Sequence, residues 1–230
     1  MIRNISTRNG SHVWWWIGSI LLFIIAAMGI VIWPRLGPNP LDPMYERHRL
    51  SHWLHGHPRE YNPAVRALGT NAVPYLLSEL QVTDPAWLQW AEKLLGRVDI
   101  GPLWDTSKMH HYHARLALQI LDTNALPALI DVVFDRPMQM ADGNLGYEAA
   151  WAMSWLASPA AKDAIQQRLA VAMQSPDAAM RRNACLAIAA GNGCTPENAA
   201  RLTVLTRDDD RDVRAAAMRG AEMRSRRGKE

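Results

Sequence analysis

The sequence predicts an all-α fold, a short α-solenoid of stacked helical hairpins preceded by a single amino-terminal transmembrane helix. Three observations predict it. The stretch Leu68-Gly-Thr-Asn-Ala-Val-Pro-Tyr-Leu-Leu returns 53 residues later as Leu121-Asp-Thr-Asn-Ala-Leu-Pro-Ala-Leu-Ile. Apolar residues on either side of each copy recur at the 3.6-residue spacing of a helix with one buried face. Finally, residues 13–33 form an uncharged run of 21 residues, which at about 1.5 Å per residue matches a hydrocarbon core of roughly 30 Å.

From the amino terminus, residues 1–12 form a short tail and residues 13–33 the span, with Trp14, Trp15 and Trp16 at one interface and Trp33 at the other. A secretory signal peptide is the competing reading. The apolar run is longer than a usual signal core, and its small-x-small candidate, Ala27-Met28-Gly29, is followed by further apolar residues. Arg3 and Arg8 precede the span while Arg35, Arg47 and Arg49 follow it, so basic residues do not fix its orientation. The short tail favours a cytoplasmic amino terminus, a single-pass protein of the cell inner membrane and an extracytoplasmic carboxy-terminal domain. Residues 34–43 carry prolines at 34, 38, 40 and 43, which forbid a continuous helix and make an extended spacer.

The folded domain is expected over residues 44–224, with a basic tail at 225–230. Helical phase places an entry helix at 50–57 and hairpin helices at 62–68, 72–80, 87–95, 112–121, 125–134, 147–156, 160–173, 178–190, 197–205 and 211–224. Residues 100–108 and 136–143 interrupt the pattern. At the repeated corner, Asn71 and Asn124 are expected to cap a helix through their side-chain oxygens. Pro74 and Pro127 then fall in the first turn, where a missing N–H costs nothing. A second similarity, at an offset of 33, relates Asp177-Ala-Ala-Met-Arg-Arg-Asn-Ala to Asp210-Arg-Asp-Val-Arg-Ala-Ala-Ala. Each copy opens on an acid suited to a helix amino terminus and carries a small residue suited to close helix approach.

The pattern Asp210-x-x-Val213-Arg214-x-x-Ala217 resembles the first helix of a HEAT repeat, and the corner at 69–77 is similar to one in bacterial, membrane-anchored HEAT-repeat proteins. In those proteins an amino-terminal span and a Leu-x-x-Trp-Leu segment, here Leu50 to Leu54, precede the repeats. The resemblance covers about residues 44–224 and implies an α-solenoid used for protein contacts, with no catalytic residues to carry over. The breaks at 100–108 and 139–146 and the 53-residue offset depart from regular repeat spacing.

The net charge of +3 is too small to mark a nucleic-acid binder, and none is expected as a partner. Cys185 and Cys194 lack the four-ligand spacing of a zinc site. Histidines cluster as His48, His52, His55 and His57 and again as His110, His111 and His113. On helices, pairs of these would share a face, the arrangement that two imidazoles on one metal or haem iron require. The competing reading is solvated and half-buried residues at helix ends, and no cofactor is assigned. Trp151 and Trp155, and likewise Trp87 and Trp90, have the spacing of a core stripe; an aromatic contact surface is the rival reading. The basic residues from Arg211 onward suit a solvated last helix. No phosphate loop, nucleophile elbow, dinucleotide fingerprint or zinc-protease motif is present, although HEAT-like glycosylases and lyases show, at the level of fold, that such an architecture can host catalysis. The expected function is a non-catalytic scaffold binding a protein or peptide through its solenoid surface.

Overall fold

The computed structural model describes residues 19, 22, 39–54, 58–95, 106–140, 144–191 and 193–227. The chain divides into two compact units, Met1–Pro40 and Leu41–Glu230. Of the apolar segment 13–33 only Ser19 and Leu22 are described, both helical and exposed; Trp14, Trp15, Trp16 and Trp33 lie outside the described residues. Among the described residues no single helix is long and apolar enough to cross a membrane.

Among the described residues the second unit is all-α apart from one small hairpin. That hairpin pairs β1 (Met44–Tyr45) with β2 (His48–Arg49) in antiparallel register, and Glu46 and Arg47 turn it at positive φ. It anchors the entry to the domain. Leu50 N–H donates to the Pro43 carbonyl at 2.8 Å, and buried Asp42 accepts from Ser51 N–H at 3.1 Å. Asp42 and Pro43 therefore belong to the fold rather than to a spacer. The short helix α1 (Leu50–Leu54) follows.

Next come α2 (Pro58–Leu68), α3 (Val73–Glu79), α4 (Ala86–Leu95), α5 (Ser107–Leu121), α6 (Leu126–Asp135) and α7 (Leu145–Ser154). The last four are α8 (Pro159–Ala172), α9 (Ala178–Ala190), α10 (Pro196–Leu205) and α11 (Arg211–Arg227). Helix α11 runs on to Arg227, so the first half of the expected tail at 225–230 is helical. Two rows of neighbours result. In one, α2 packs on α5, α5 on α7, α7 on α9 and α9 on α11; in the other, α6 packs on α8 and α8 on α10.

Each helix buries the stripe its sequence offers. Helix α8 buries Ala161, Ile165, Leu169 and Ala172, and α10 buries Ala199, Leu202 and Leu205, each large aliphatic side chain contributing about 1.5–3 kcal/mol by leaving water. Helix α9 is different: Asn183 through Ala190 are all buried, as expected of a helix enclosed on every side. Its small side chains let α11 come close. A Cβ built on Gly220 would stand 3.0 Å from the Cys185 carbonyl oxygen.

The repeated corner forms, with a corrected mechanism. Asn71 and Asn124 are exposed members of 3-10 turns, Gly69–Ala72 and Asp122–Asn124, and do not cap a helix. The cap positions are Ala72 and Ala125, both in the right-handed helical region with no side-chain cap bond. An Asn cap needs an extended backbone at the cap residue, and here the chain keeps its helical turn through the corner. Pro74 and Pro127 do sit in the first turn of α3 and α6, and Pro159 and Pro196 open α8 and α10 in the same way. The preceding residues, Gly69 and Asp122, correspond across the two corners and share positive φ, 55° and 47°. Side-chain caps appear elsewhere: Asn144, Ser158, Asp177 and Thr195 each accept from an N–H of the helix that follows.

Candidate functional site

A cluster of buried charge on the first half of α5 is the chemically richest part of the described structure. Helix α5 starts without a cap from its own Thr106. Asp84, from the loop after α3, supplies one instead, accepting from Ser107 N–H at 2.8 Å and Ser107 Oγ–H at 2.6 Å. One turn on, His110 Nδ1–H donates to Glu79 Oε2 at 2.5 Å and His111 Nε2–H donates to the Val82 carbonyl at 2.8 Å. These bonds tie α5 to the end of α3.

On the other side, Arg115 Nη2–H donates to Glu148 of α7. His111 Nδ1 stands 3.5 Å from the other oxygen of the same carboxylate. Arg115, His111 and Glu148 are all buried, so a charge pair and its imidazole neighbour are held in low dielectric, where losing one partner is costly. The Arg115 guanidinium also lies 3.8 Å from the Trp151 ring centre, in cation–π contact.

These residues floor a cavity of about 640 Å³ whose lining also includes Gln89, Lys108, Tyr112 and Trp151. Beneath it Asp84, His111 and Arg115 are each tied to another helix or loop, while Arg115 Nε is buried without a hydrogen-bond partner. Its rim is aromatic: Tyr112 and Trp151 are exposed, and the Tyr112 ring meets Trp155 edge-on at 6.0 Å. Trp151 is 37% and Trp90 66% exposed, and Trp87 is exposed with them. The core-stripe reading of these tryptophans is therefore overturned. Helix α4 buries Leu88 rather than either Trp, and Trp151 is turned out of the core onto the Arg115 cation.

The histidines are dispersed. His48 lies in β2, not on a helix with His52, although their rings stack at 4.4 Å; His55 and His57 lie outside the described residues. His110 and His111 serve the α3–α5–α7 contacts, and the His113 ring adjoins Tyr112. Among the described residues no three His, Cys, Asp or Glu side chains converge to hold a metal ion. Burial pushes the Cys185 thiol up to about 12 and raises that of Cys194 as well, which suits inert core thiols rather than nucleophiles.

The Arg115–Glu148 pair was not singled out by sequence reasoning, yet a signal for it exists. Arg115, Glu148, Arg181 and Arg214 follow one another at intervals of 33 residues, the offset already visible between the Asp177 and Asp210 segments. Helices α7, α9 and α11 begin at 145, 178 and 211, so the same step relates whole helices. Arg181 repeats the theme. Its Nε and Nη2 donate to the two carboxylate oxygens of Asp208 at 2.8 and 2.9 Å, binding α9 to the loop before α11. Between α6 and α9, buried Asn183 donates through Nδ2 to the carbonyls of Val133 and Arg136 at 3.0 and 2.8 Å, which closes the carboxy-terminal end of α6. Compared with known proteins, the chain matches no family model, no curated protein and no solved structure.

Proposed function

We propose that the chain is a membrane-anchored, non-catalytic scaffold that binds a protein or peptide partner through the surface of a HEAT-like α-solenoid. The solenoid reading is supported by the neighbour-to-neighbour packing of α5, α7, α9 and α11 and by the 33-residue step that relates them. The anchor reading rests on the length and aromatic flanks of residues 13–33, with the domain on the extracytoplasmic side of the inner membrane.

One observation carries the binding reading. Exposed Tyr112 and Trp151 stand at the mouth of a cavity whose floor of Arg115, Glu148 and His111 is already fixed. Large aromatic side chains on a rigid support lose little freedom on binding and dominate interface energies. The reading predicts contact with a partner at this rim and no bond-making chemistry. Photo-crosslinking in native membranes tests it, with benzoylphenylalanine placed at Tyr112 and, as control, at exposed Asp163 on α8. A discrete adduct at 112, absent at 163 and reduced about tenfold by Trp151→Ser, is the expected result for an aromatic hot spot. Equal labelling at both positions, or no adduct at 112, would refute it.

A further inference from the structure

Arg181 and Arg214 hold equivalent places on α9 and α11, which pack on each other, and the structure shows how one is filled. Arg181 Nη1 donates to the carbonyls of Ser175 and Pro176, both at 2.9 Å, which fixes the guanidinium against its own loop. The remaining edge, Nε and Nη2, grips the carboxylate of Asp208 on the loop before α11. Arg214 is fixed in the same manner. Its Nη1 donates to the carbonyls of Asp208 and Asp209 at 2.7 and 2.9 Å, again six and five residues back. Its Nε and Nη2 make no hydrogen bond among the described residues, and neither is a buried, unpaired atom. The two-pronged edge that receives Asp208 on α9 thus stands open on α11.

The surroundings match. Cys185, four residues beyond Arg181, is 0% exposed beneath α11, with the position of Gly220 against its carbonyl. Met218, four residues beyond Arg214, is 57% exposed. Arg211, three residues before Arg214, is also exposed along α11, so this face sets an apolar side chain beside two guanidinium groups, with Glu222 of the next turn engaged by Arg226.

We infer that Arg214 and Met218 form a docking site on α11 for a partner segment that presents an aspartate just ahead of a helix, seated as Asp208 and α11 are seated on α9. The partner is recognised by a carboxylate held by two parallel N–H groups, a geometry that an arginine fork supplies and a lysine does not. A small residue over Met218 completes the fit. This rests on the scaffold reading above and names the chemistry of one of its contacts.

The test uses the full chain in zwitterionic nanodiscs and, as probe, a fluorescent synthetic peptide with the sequence of residues 203–220, which carries Asp208 and the first turns of α11. Saturable binding is expected, weakened at least tenfold when the peptide carries Asp208→Asn and retains its other acids. The same loss is expected when the chain carries Arg214→Gln, with Arg214→Lys recovering only part of it. Met218→Glu touches neither loop carbonyl and is expected to weaken binding equally, which guards against an Arg214 variant that has merely lost its fold. Binding indifferent to Arg214, as when the peptide displaces α11 from Arg181, would overturn the inference. Binding of phosphatidylglycerol vesicles in place of the peptide would overturn it too, assigning the face to a lipid surface. Peptide binding without any Tyr112 adduct would uphold this site while the aromatic rim fails; a Tyr112 adduct with Arg214-independent peptide binding would do the reverse.

Discussion

Asp122 offers a direct test of how the repeated corner is built. It has φ 47° and ψ −118°, a region that side-chain-bearing residues avoid and glycine enters freely. At the corresponding place in the first corner stands Gly69, with φ 55° and no atom within 4 Å of an added Cβ. The Asp122→Gly substitution removes conformational strain of about 1–3 kcal/mol. It also removes Oδ1, a buried acceptor without a hydrogen-bond partner, whose burial unpaired costs about 1 kcal/mol or more. Against these gains stands the greater entropy glycine loses on folding, about 0.5–1 kcal/mol. A net stabilisation of about 1–3.5 kcal/mol follows, which at about 2–4 °C per kcal/mol for a domain of this size raises the melting temperature by about 2–14 °C. Thermal and urea denaturation followed by circular dichroism measure it. The reciprocal change, Gly69→Asp, is expected to destabilise by about 1–3 kcal/mol. If Asp122→Gly lowers the midpoint, or Gly69→Asp leaves it unmoved, the equivalence of the two corners is wrong.

Two further outcomes follow from the ion pairs between elements. Glu148→Leu alone is expected to cost about 3–5 kcal/mol because it strands Arg115 in low dielectric, whereas Arg115→Met with Glu148→Leu should recover most of the loss; urea titration of the single and double variants checks this, and additive losses would deny the pairing. The Arg181 guanidinium holds the Asp208 carboxyl below its ordinary value, so the bond stabilises the fold above the unfolded carboxyl value of about 3.9 and is lost as pH falls through the lower folded value. Wild type and Asp208→Asn should therefore differ in melting temperature at pH 7 and converge under strong acid; a constant gap would sink this account.

The helices were legible because their apolar stripes are strong: the expected segments at 178–190 and 211–224 correspond to α9 and the greater part of α11. The hairpin at Met44–Arg49 was not, since Glu46-Arg47 lacks the Asn-Gly signal of a two-residue turn. The cap at Asp177 was legible as an acid opening a helix, while the corner asparagines misled because composition cannot tell a 3-10 turn from an extended cap. The tryptophans misled for another reason. Spacing at i, i+4 locates a face but does not say which face is covered, nor that Trp151 meets Arg115, far away in sequence. The 53-residue offset conceals the shorter step because α4 and residues 96–105 are added between the first two corners.

The close approach at Gly220 has a mechanical consequence. Where a hydrogen atom is all that separates α11 from the Cys185 carbonyl, the two helices cannot slide or rotate past each other without first parting. Any fluctuation that separates them must also pull Asp208 from Arg181, so the amides of both helices should exchange with solvent together and late.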